Sequence, residues 1–572
     1  MRKPRQGGGS KNLPDGGEAI LQALRALDID YLMTSPGSEW GALWEAFARQ
    51  DANGTPGPVF MSCGHETLAV DLAIGYTRHT GRMQAVALHA GVGLLQGSVG
   101  IDAANRMGVP MIVVSGEALS YGELPDFDPG YQWTSNLSVP GGPHRLIAPI
   151  VKWSNQATSI ATMYEMIVRA GEMAQRTPAG PVYLDVPIET MLQDWTPPAR
   201  ARKVPRPVQP QAPASEIERV AALLLAAKQP VITTESAGRD ADGYRALGEL
   251  AELLAIPVVE TGSAEYSNFP KTNPLHQGVG FDAFIDTADL VLMVRSKAPW
   301  YPPYNRPRNA TLVAIDEMPF RGTMVYQNIQ ADIFLEGDAA HTLKTLAAIV
   351  RDAKVDPAAV AERRERCTAA HKKMREGYRS AGHPANGGIT APMLCQTLSE
   401  TLPGGSIYVD ETITHRPDTL RHLDTQGPQT YYRASGGLGQ GIGLALGTKL
   451  AAPDKLVVSV IGDGSFLYNP LAQCLAFSQQ AKLPILVVIL NNGGYRAMKE
   501  EHHAYYPDGI AKAKDQSYGF ATTGFEYSEL VKPFGGYGQR VDKPADLKPA
   551  LERCIAAVNG GDTAILNVTL ER

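Results

Sequence analysis

Short, wholly apolar runs alternate along this chain with longer stretches of mixed polarity. Residues 84–88, 109–114, 230–233, 290–294, 455–460 and 483–490 are the clearest runs. Runs this short and uniform predict strands buried on both faces, hence parallel sheets covered by helices. The stretch after His65 predicts a helix opening at Glu66 and continuing through Tyr76. Prolines punctuate the pattern. Residues 196–213 carry a proline density that no helix survives and read as a linker. A second, softer seam begins near Val355-Asp356-Pro357, passes through a charged helical stretch at 361–366, and ends at 383–388. The expected division is a flexible tail at 1–16, domains at 17–195, 214–352 and 389–572, and connecting segments at 196–213 and 353–388. The predicted class is α/β, with three consecutive doubly wound parallel-sheet domains.

Length and charge agree with this division. The 572 residues suit about three to four domains of ordinary size, each able to bury its own core. The net charge of −6 and the lack of a Lys/Arg block give no footprint for nucleic acid or an anionic membrane. The five cysteines, Cys63, Cys367, Cys395, Cys474 and Cys554, are scattered, which argues against a disulfide framework and a zinc site. The basic start, residues 1–10, is followed by no apolar h-region, and no apolar run reaches the roughly 18 residues of a membrane span. A soluble, cytoplasmic protein is expected.

The chemistry concentrates in the last block. Ile461-Gly462-Asp463-Gly464-Ser465 ends one strand, and Leu490-Asn491-Asn492-Gly493-Gly494 ends another a helix's length later. The carboxyl ends of neighbouring parallel strands then offer a carboxylate, an amide and a backbone carbonyl. These are hard oxygen donors suited to Mg²⁺ on a diphosphate. Gly464 permits close approach of a phosphate where the next helix begins with free N–H groups.

This pattern resembles the thiamine-diphosphate (ThDP) motif, Gly-Asp-Gly followed by Asn-Asn. The three-block order resembles the acetolactate synthase/benzoylformate decarboxylase branch of that family, over about residues 17–570. The resemblance implies Mg²⁺ ligation by the Asp463 side chain, the Asn492 side chain and the Gly494 carbonyl. It also implies that Glu66 hydrogen-bonds N1′ of the cofactor's aminopyrimidine, shifting the ring to the tautomer that can take the thiazolium C2 proton. Without the resemblance, Glu66 reads as an ordinary acid favoured by a helix N-terminus. Ala434-Ser435-Gly436-Gly437-Leu438-Gly439 is similar to the decarboxylase Gly-Gly-Leu-Gly. By that likeness the Gly436 carbonyl accepts from the 4′-amino group, and Leu438 wedges the cofactor into its bent form. Thr412, Thr414 and Ser465 are implied diphosphate donors, and Tyr495 packs near them.

The same likeness makes Ser38, in Ser35-Pro36-Gly37-Ser38-Glu39, a contact for a substrate carboxylate, and His89 an acid/base residue. Ser38 reads equally as a turn or cap residue. The His89–Gly93 loop is shorter than the decarboxylase loop and fits the synthase loop better, with His89 in its Thr position. Glu117 is either a substrate contact or, as preferred here, a solvated loop carboxylate. Met498 is either a cavity residue or core filler. His415 either faces the substrate or is simply exposed. Residues 500–509 read as a loop that could close over the site. The adjacent His502 and His503 point apart and do not suggest a metal. The central block matches the flavin-binding stretches of synthases poorly, so FAD is not expected, while ADP stays open.

The resulting expectation is a ThDP- and Mg²⁺-dependent decarboxylase or carboligase acting on a 2-oxo acid or related carbonyl compound. Its site would draw Glu66 from one copy and Asp463 from another, making a homodimer the minimum and a homotetramer the expected state. A non-decarboxylating C–C lyase acting on a 2-hydroxyacyl-CoA or a cyclic diketone is the alternative. A non-catalytic protein that keeps the fold ranks last, because every motif residue is present.

Overall fold

The computed structural model describes residues 14–117, 139, 141–200, 202–383, 387–516, 518–519, 521 and 525–571. The chain forms two compact units. One comprises 1–208, 435–451 and 470–477, and the other comprises 209–434, 452–469 and 478–572.

The first unit is built on a sheet of β1 (Tyr31–Ser35), β2 (Val59–Ser62), β3 (Gln84–Leu88), β4 (Met111–Glu117), β5 (Trp153–Gln156) and β6 (Pro181–Pro187). All pairings are parallel, in the order β2-β1-β3-β4-β6-β5. Every residue of β3, β4 and β6 is buried, as expected of mainly apolar strands covered on both faces, and the burial extends to Gln84, Ser115, Glu117 and Asp185. Ile20, Leu24, Trp40, Ile167 and Leu184 belong to the core on one side of this sheet. Asp15 caps the helix Gly16–Ala26, accepting from the Glu18 amide. The fold thus begins just inside the segment expected as tail, whose residues 1–13 lie outside the described residues.

The second unit holds two sheets. The central one contains β7 (Pro230–Thr234), β8 (Val258–Glu260), β9 (His276–Val279), β10 (Leu290–Val294), β11 (Thr311–Asp316) and β12 (Ile333–Glu336), in the order β12-β11-β10-β7-β8-β9. The last contains β13 (Ile407–Glu411), β14 (Tyr431–Arg433), β15 (Val457–Gly462), β16 (Leu486–Asn491), β17 (Tyr537–Val541) and β18 (Ala564–Thr569), in the order β14-β13-β15-β16-β18-β17. Both sheets are parallel throughout. The first and last sheets share one strand order, so each reverses direction between its first and third strands. Ligands of open α/β sheets bind at the carboxyl ends of the strands flanking such a reversal.

Described residues between 195 and 213 form neither helix nor strand, and the charged stretch at 361–366 lies in the 25-residue helix Pro357–Ala381. One reading changes. Residues 500–509, expected as loop, begin inside the helix Arg496–Tyr505. The segment has good helix formers and an i,i+4 pair, Arg496 Nε to Glu500 Oε1 at 2.7 Å, and no breaker before Pro507. Among the described residues, no helix is long and apolar enough to cross a membrane.

Within the first unit, helices Glu66–Thr80 and Gly441–Ala451 pack backbone to backbone through reciprocal glycines. A Cβ on Gly75 would stand 2.3 Å from the Leu444 carbonyl oxygen, and one on Gly447 would stand 2.2 Å from that of Leu72. These contacts hold the helix whose first residue is Glu66. Gly447→Ala should therefore cost about 1–3 kcal/mol by overpacking. The check is the denaturation midpoint of the variant, and an unchanged midpoint would mean that the helices separate freely.

Candidate active site

In the first unit the candidate residues gather where the sheet reverses, between β1 and β3. The chain leaves β1 at Ser35, turns through Pro36-Gly37, and enters a short 3₁₀ turn at Ser38–Trp40. This turn exposes Ser38 and buries Glu39. His89 follows β3. Its Nδ1 lies 2.9 and 3.0 Å from the two Glu39 oxygens, and Glu39 Oε1 also accepts from the Ala90 amide at 2.9 Å. The Glu39 carboxylate is 7% exposed, so its charge has little solvent competition. Its hydrogen bond raises the His89 pKa. Burial of the ring opposes this, and the negative charges of Glu39 and Glu66 add to it. Gly37 makes the pair possible, because a Cβ there would fall 1.7 Å from His89 Nδ1.

Glu66 opens the helix Glu66–Thr80, which His65 caps by accepting from the Thr67 amide through Nδ1 at 3.2 Å. Glu66 is half-buried, and its Oε1 lies 3.2 Å from the Cβ position of Gly93 in the helix that follows His89. The structure thus gathers Glu66, His89 and Glu39 around one strand end, with Ser38 on the adjoining turn. Glu117 is not the solvated loop carboxylate of the sequence reading. It ends β4 with 2% exposure, since β4 runs three residues past its apolar stretch, through Ser115 and Gly116 to Glu117. Gly436 has φ +107°, and its Cβ position lies 2.7 Å from the Cα of Ala103 in the helix Gly91–Arg106, so it is held close to that helix. Leu438, two residues on, is half-buried.

In the second unit the corresponding reversal lies between β13 and β15, with β16 beside it. The register pairs Glu411 with Ile461 and Gly462 with Leu490, so the three strands finish level. Asp463 starts the helix Asp463–Tyr468 directly after β15 and is 1% exposed. Asn492 follows β16, and its Oδ1 accepts from the Gly494 amide at 3.2 Å. The Gly494 carbonyl accepts from Arg496 at 2.9 Å and keeps a second lone pair. One carboxylate, one amide oxygen and one carbonyl therefore stand on adjacent strand ends, a hard-donor set that fits Mg²⁺. Among the described residues, no group of three or more His, Cys, Asp or Glu side chains could hold a metal ion. The Tyr495 ring covers Gly464, with Cε1 2.5 Å from the Cβ position there, and makes an edge contact with Tyr468.

The loop after β13 departs from expectation at Thr412. Its hydroxyl and amide both donate to Asp410 Oδ1, at 2.7 and 2.8 Å, and the residue is 2% exposed. A hydroxyl proton held by a buried carboxylate is not free for a phosphate, so the half-buried Thr414 and the buried Ser465 at the start of the helix Asp463–Tyr468 are the better-placed donors. His415, which could have been merely exposed, lies between Asp418 and Asn492. Sequence reasoning also missed Glu39. The acid was visible beside Ser38, but its pairing with His89 depends on the β1–β3 adjacency, which carries no local signal. Met498 is 52% exposed on the helix Arg496–Tyr505, so it is not core filler. His502 and His503 share that helix.

At the reversal of the central sheet, between β7 and β10, charges are neutralised internally. Lys297 pairs with Glu235 at 2.8 Å and Glu265 at 2.5 Å, and Arg295 pairs with Asp240 at 2.6 Å and with Glu317.

Comparison with known proteins places all three domains. The N-terminal TPP binding domain of thiamine pyrophosphate enzymes matches residues 14–131, the central domain 217–346, and the C-terminal TPP binding domain 414–568. Benzoylformate decarboxylase of Pseudomonas aeruginosa is 27% identical over 526 residues, covering 86% of this chain and 89% of that protein. The acetolactate synthase isozyme 3 large subunit of Escherichia coli is 25% identical over 585 residues, covering 97% and 95%. Among solved structures, the thiamine diphosphate-dependent 4-hydroxybenzoylformate decarboxylase of Rhodococcus jostii RHA1 has the same fold. Its TM-score is 0.77 at 23% identity, over 97% of this chain and 99% of that one. Three parallel α/β sheets, each matched by its own domain model, identify this chain as a member of the thiamine pyrophosphate enzyme family.

Proposed function

We propose that the protein is a ThDP- and Mg²⁺-dependent enzyme that decarboxylates a 2-oxo acid and then protonates the product or joins it to a second carbonyl compound. The observation that carries this reading is the His89–Glu39 pair beside Glu66 at the sheet reversal, a proton-handling set in a family whose relatives include decarboxylases. When bound, the thiazolium supplies the electron sink for the pair left behind by CO₂. Glu66 holds a proton at the aminopyrimidine N1′. His89, whose charged form the Glu39 hydrogen bond favours, delivers a proton to the product carbon, and Ser38 meets the substrate carboxylate. Asp463, Asn492 and the Gly494 carbonyl hold Mg²⁺. Thr414 and Ser465 meet the diphosphate, with Tyr495 packed against it. Gly436 and Leu438 orient the aminopyrimidine.

In this reading residues 17–195 hold the aminopyrimidine and 389–572 the diphosphate, with Glu66 from one copy and Asp463 from another. The active species is then at least a homodimer, organised as a tetramer in the cytoplasm. FAD is not expected in the central domain, whose stretches match the flavin-binding ones poorly and whose strand-end cations Arg295 and Lys297 are paired with acids, while ADP stays open.

The test is incubation with ThDP, Mg²⁺ and a panel of 2-oxo acids that includes pyruvate and benzoylformate, with products read by mass spectrometry. CO₂ together with an aldehyde or an acyloin is the expected result. Bound ThDP with no CO₂ from any member would overturn the proposal and turn the search to acyl-CoA and diketone cleavage.

A further inference from the structure

We propose that His415 is a positioning residue for the metal site, setting through its tautomer which end of the Asn492 amide faces the cation. This rests on the reading of Asn492 as a Mg²⁺ ligand. An asparagine side chain ends in an acceptor and a donor of nearly equal size, and only the oxygen can bind a cation. Something must therefore hold the nitrogen turned away. His415 Nε2 lies 3.2 Å from Asn492 Nδ2, and His415 Nδ1 lies 3.3 Å from Asp418 Oδ2. A carboxylate can only accept, so Asp418 keeps the ring proton on Nδ1. Nε2 is then an acceptor, and the Asn492 N–H is the donor that faces it. The Gly494 amide, donating to Asn492 Oδ1 at 3.2 Å, fixes the same orientation from the other side. The Asp418–His415–Asn492 chain assigns a direction to an otherwise ambiguous amide, as outer partners of metal ligands do elsewhere.

The loop that carries His415 is held rigidly enough for this. Asp410, 1% exposed at the end of β13, accepts from the amide and hydroxyl of Thr412, from the Thr419 hydroxyl at 2.7 Å and from the Tyr431 hydroxyl at 2.7 Å. Thr412 and Thr419 bracket His415 in sequence, so both ends of its segment are tied to one buried carboxylate. The His415 carbonyl meanwhile accepts from the Thr419 amide at 3.0 Å, starting the helix Arg416–His422. Among the described residues, the donor that reaches Nε2 is the Asn492 amide.

The experiment titrates Mg²⁺ into the full-length enzyme with saturating ThDP and follows binding by protein fluorescence, alongside steady-state turnover. His415→Ala should weaken Mg²⁺ affinity about 10- to 100-fold, the range for lost outer partners of metal ligands. The loss should lie mainly in the half-saturating Mg²⁺ concentration, not in kcat. Asp418→Asn, which frees the tautomer while keeping side-chain shape, should weaken binding in the same way. The double variant should be no worse than the worse single, because both act through one chain. His415→Gln, whose side-chain carbonyl can accept from Asn492, should recover part of the affinity. Unchanged Mg²⁺ affinity in His415→Ala and Asp418→Asn, with a clear loss in Asn492→Ala, would overturn the role of His415 alone. No loss in Asn492→Ala would overturn the metal-site reading beneath it.

Discussion

Glu66→Gln should lower turnover by about 10²- to 10⁴-fold, the usual worth of a positioned acid–base group, while ThDP binding largely survives. The substitution keeps the length and polarity of the side chain at the head of the helix Glu66–Thr80. The amide is isosteric with the carboxylate, and Gly93 faces it without a side chain, since a Cβ there would stand 3.2 Å from Glu66 Oε1. What the amide lacks is a proton that can move. A carboxyl group can hold or give up a proton at the aminopyrimidine nitrogen, and glutamine offers N–H groups that never ionise. The defect should therefore appear in kcat, with cofactor affinity changed several-fold at most. Fluorescence titration with ThDP and Mg²⁺ separates the two quantities. A kcat within twofold of the parent would remove Glu66 from the chemistry and leave it as a helix-start acid.

The strands themselves were legible in the sequence because fully buried parallel strands leave a signal that does not depend on neighbours, whereas their order in each sheet was not. The run at 84–88 became β3 with identical bounds, and that at 290–294 became β10. The proposed metal-ligand set has a local signal too: Asp463 and Asn492 each sit one step past a strand, and both strands were visible. The residues missed act across the sheet. Glu39 and His89 are 50 positions apart and meet only because β1 and β3 are neighbours, and His415 and Asn492 are 77 apart. Thr412 shows the opposite error. Its hydroxyl looked available beside Thr414, but Asp410, two residues earlier on a strand end, folds back to claim it. A motif tells which residues lie at a strand end, not which are already bonded. The helix Arg496–Tyr505 was misread for a different reason. No side chain on it is buried, so it lacks the apolar stripe that reveals most helices, and only its composition and i,i+4 pair mark it.

The Glu39–His89 pair leads to a second large effect, this time in pH dependence. If His89 delivers a proton, activity falls as pH rises through its pKa, and Glu39 holds that pKa above the ordinary histidine value. Glu39→Gln removes the carboxylate's contribution and leaves the opposing effect of ring burial in place. The alkaline limb of the kcat/KM profile should then move to lower pH, by about one unit for each 1.4 kcal/mol of lost stabilisation of the charged ring. At a fixed pH above the new limb, each unit of displacement costs about tenfold in rate, whereas well below it the two enzymes should converge. The same sign governs stability. A raised folded-state pKa stabilises the fold below the unfolded value, and that contribution disappears as pH rises through the folded value. Glu39→Gln should flatten this dependence. Glu39→Ala is a harsher change, because it also strips the acceptor from the buried Ala90 amide, at about 1–3 kcal/mol for an unsatisfied group. Comparing the two variants separates charge from scaffold. A limb that stays put in Glu39→Gln, with the fold intact, would mean that the ionisation of His89 does not govern turnover. The decarboxylase reading would then have to find its proton elsewhere.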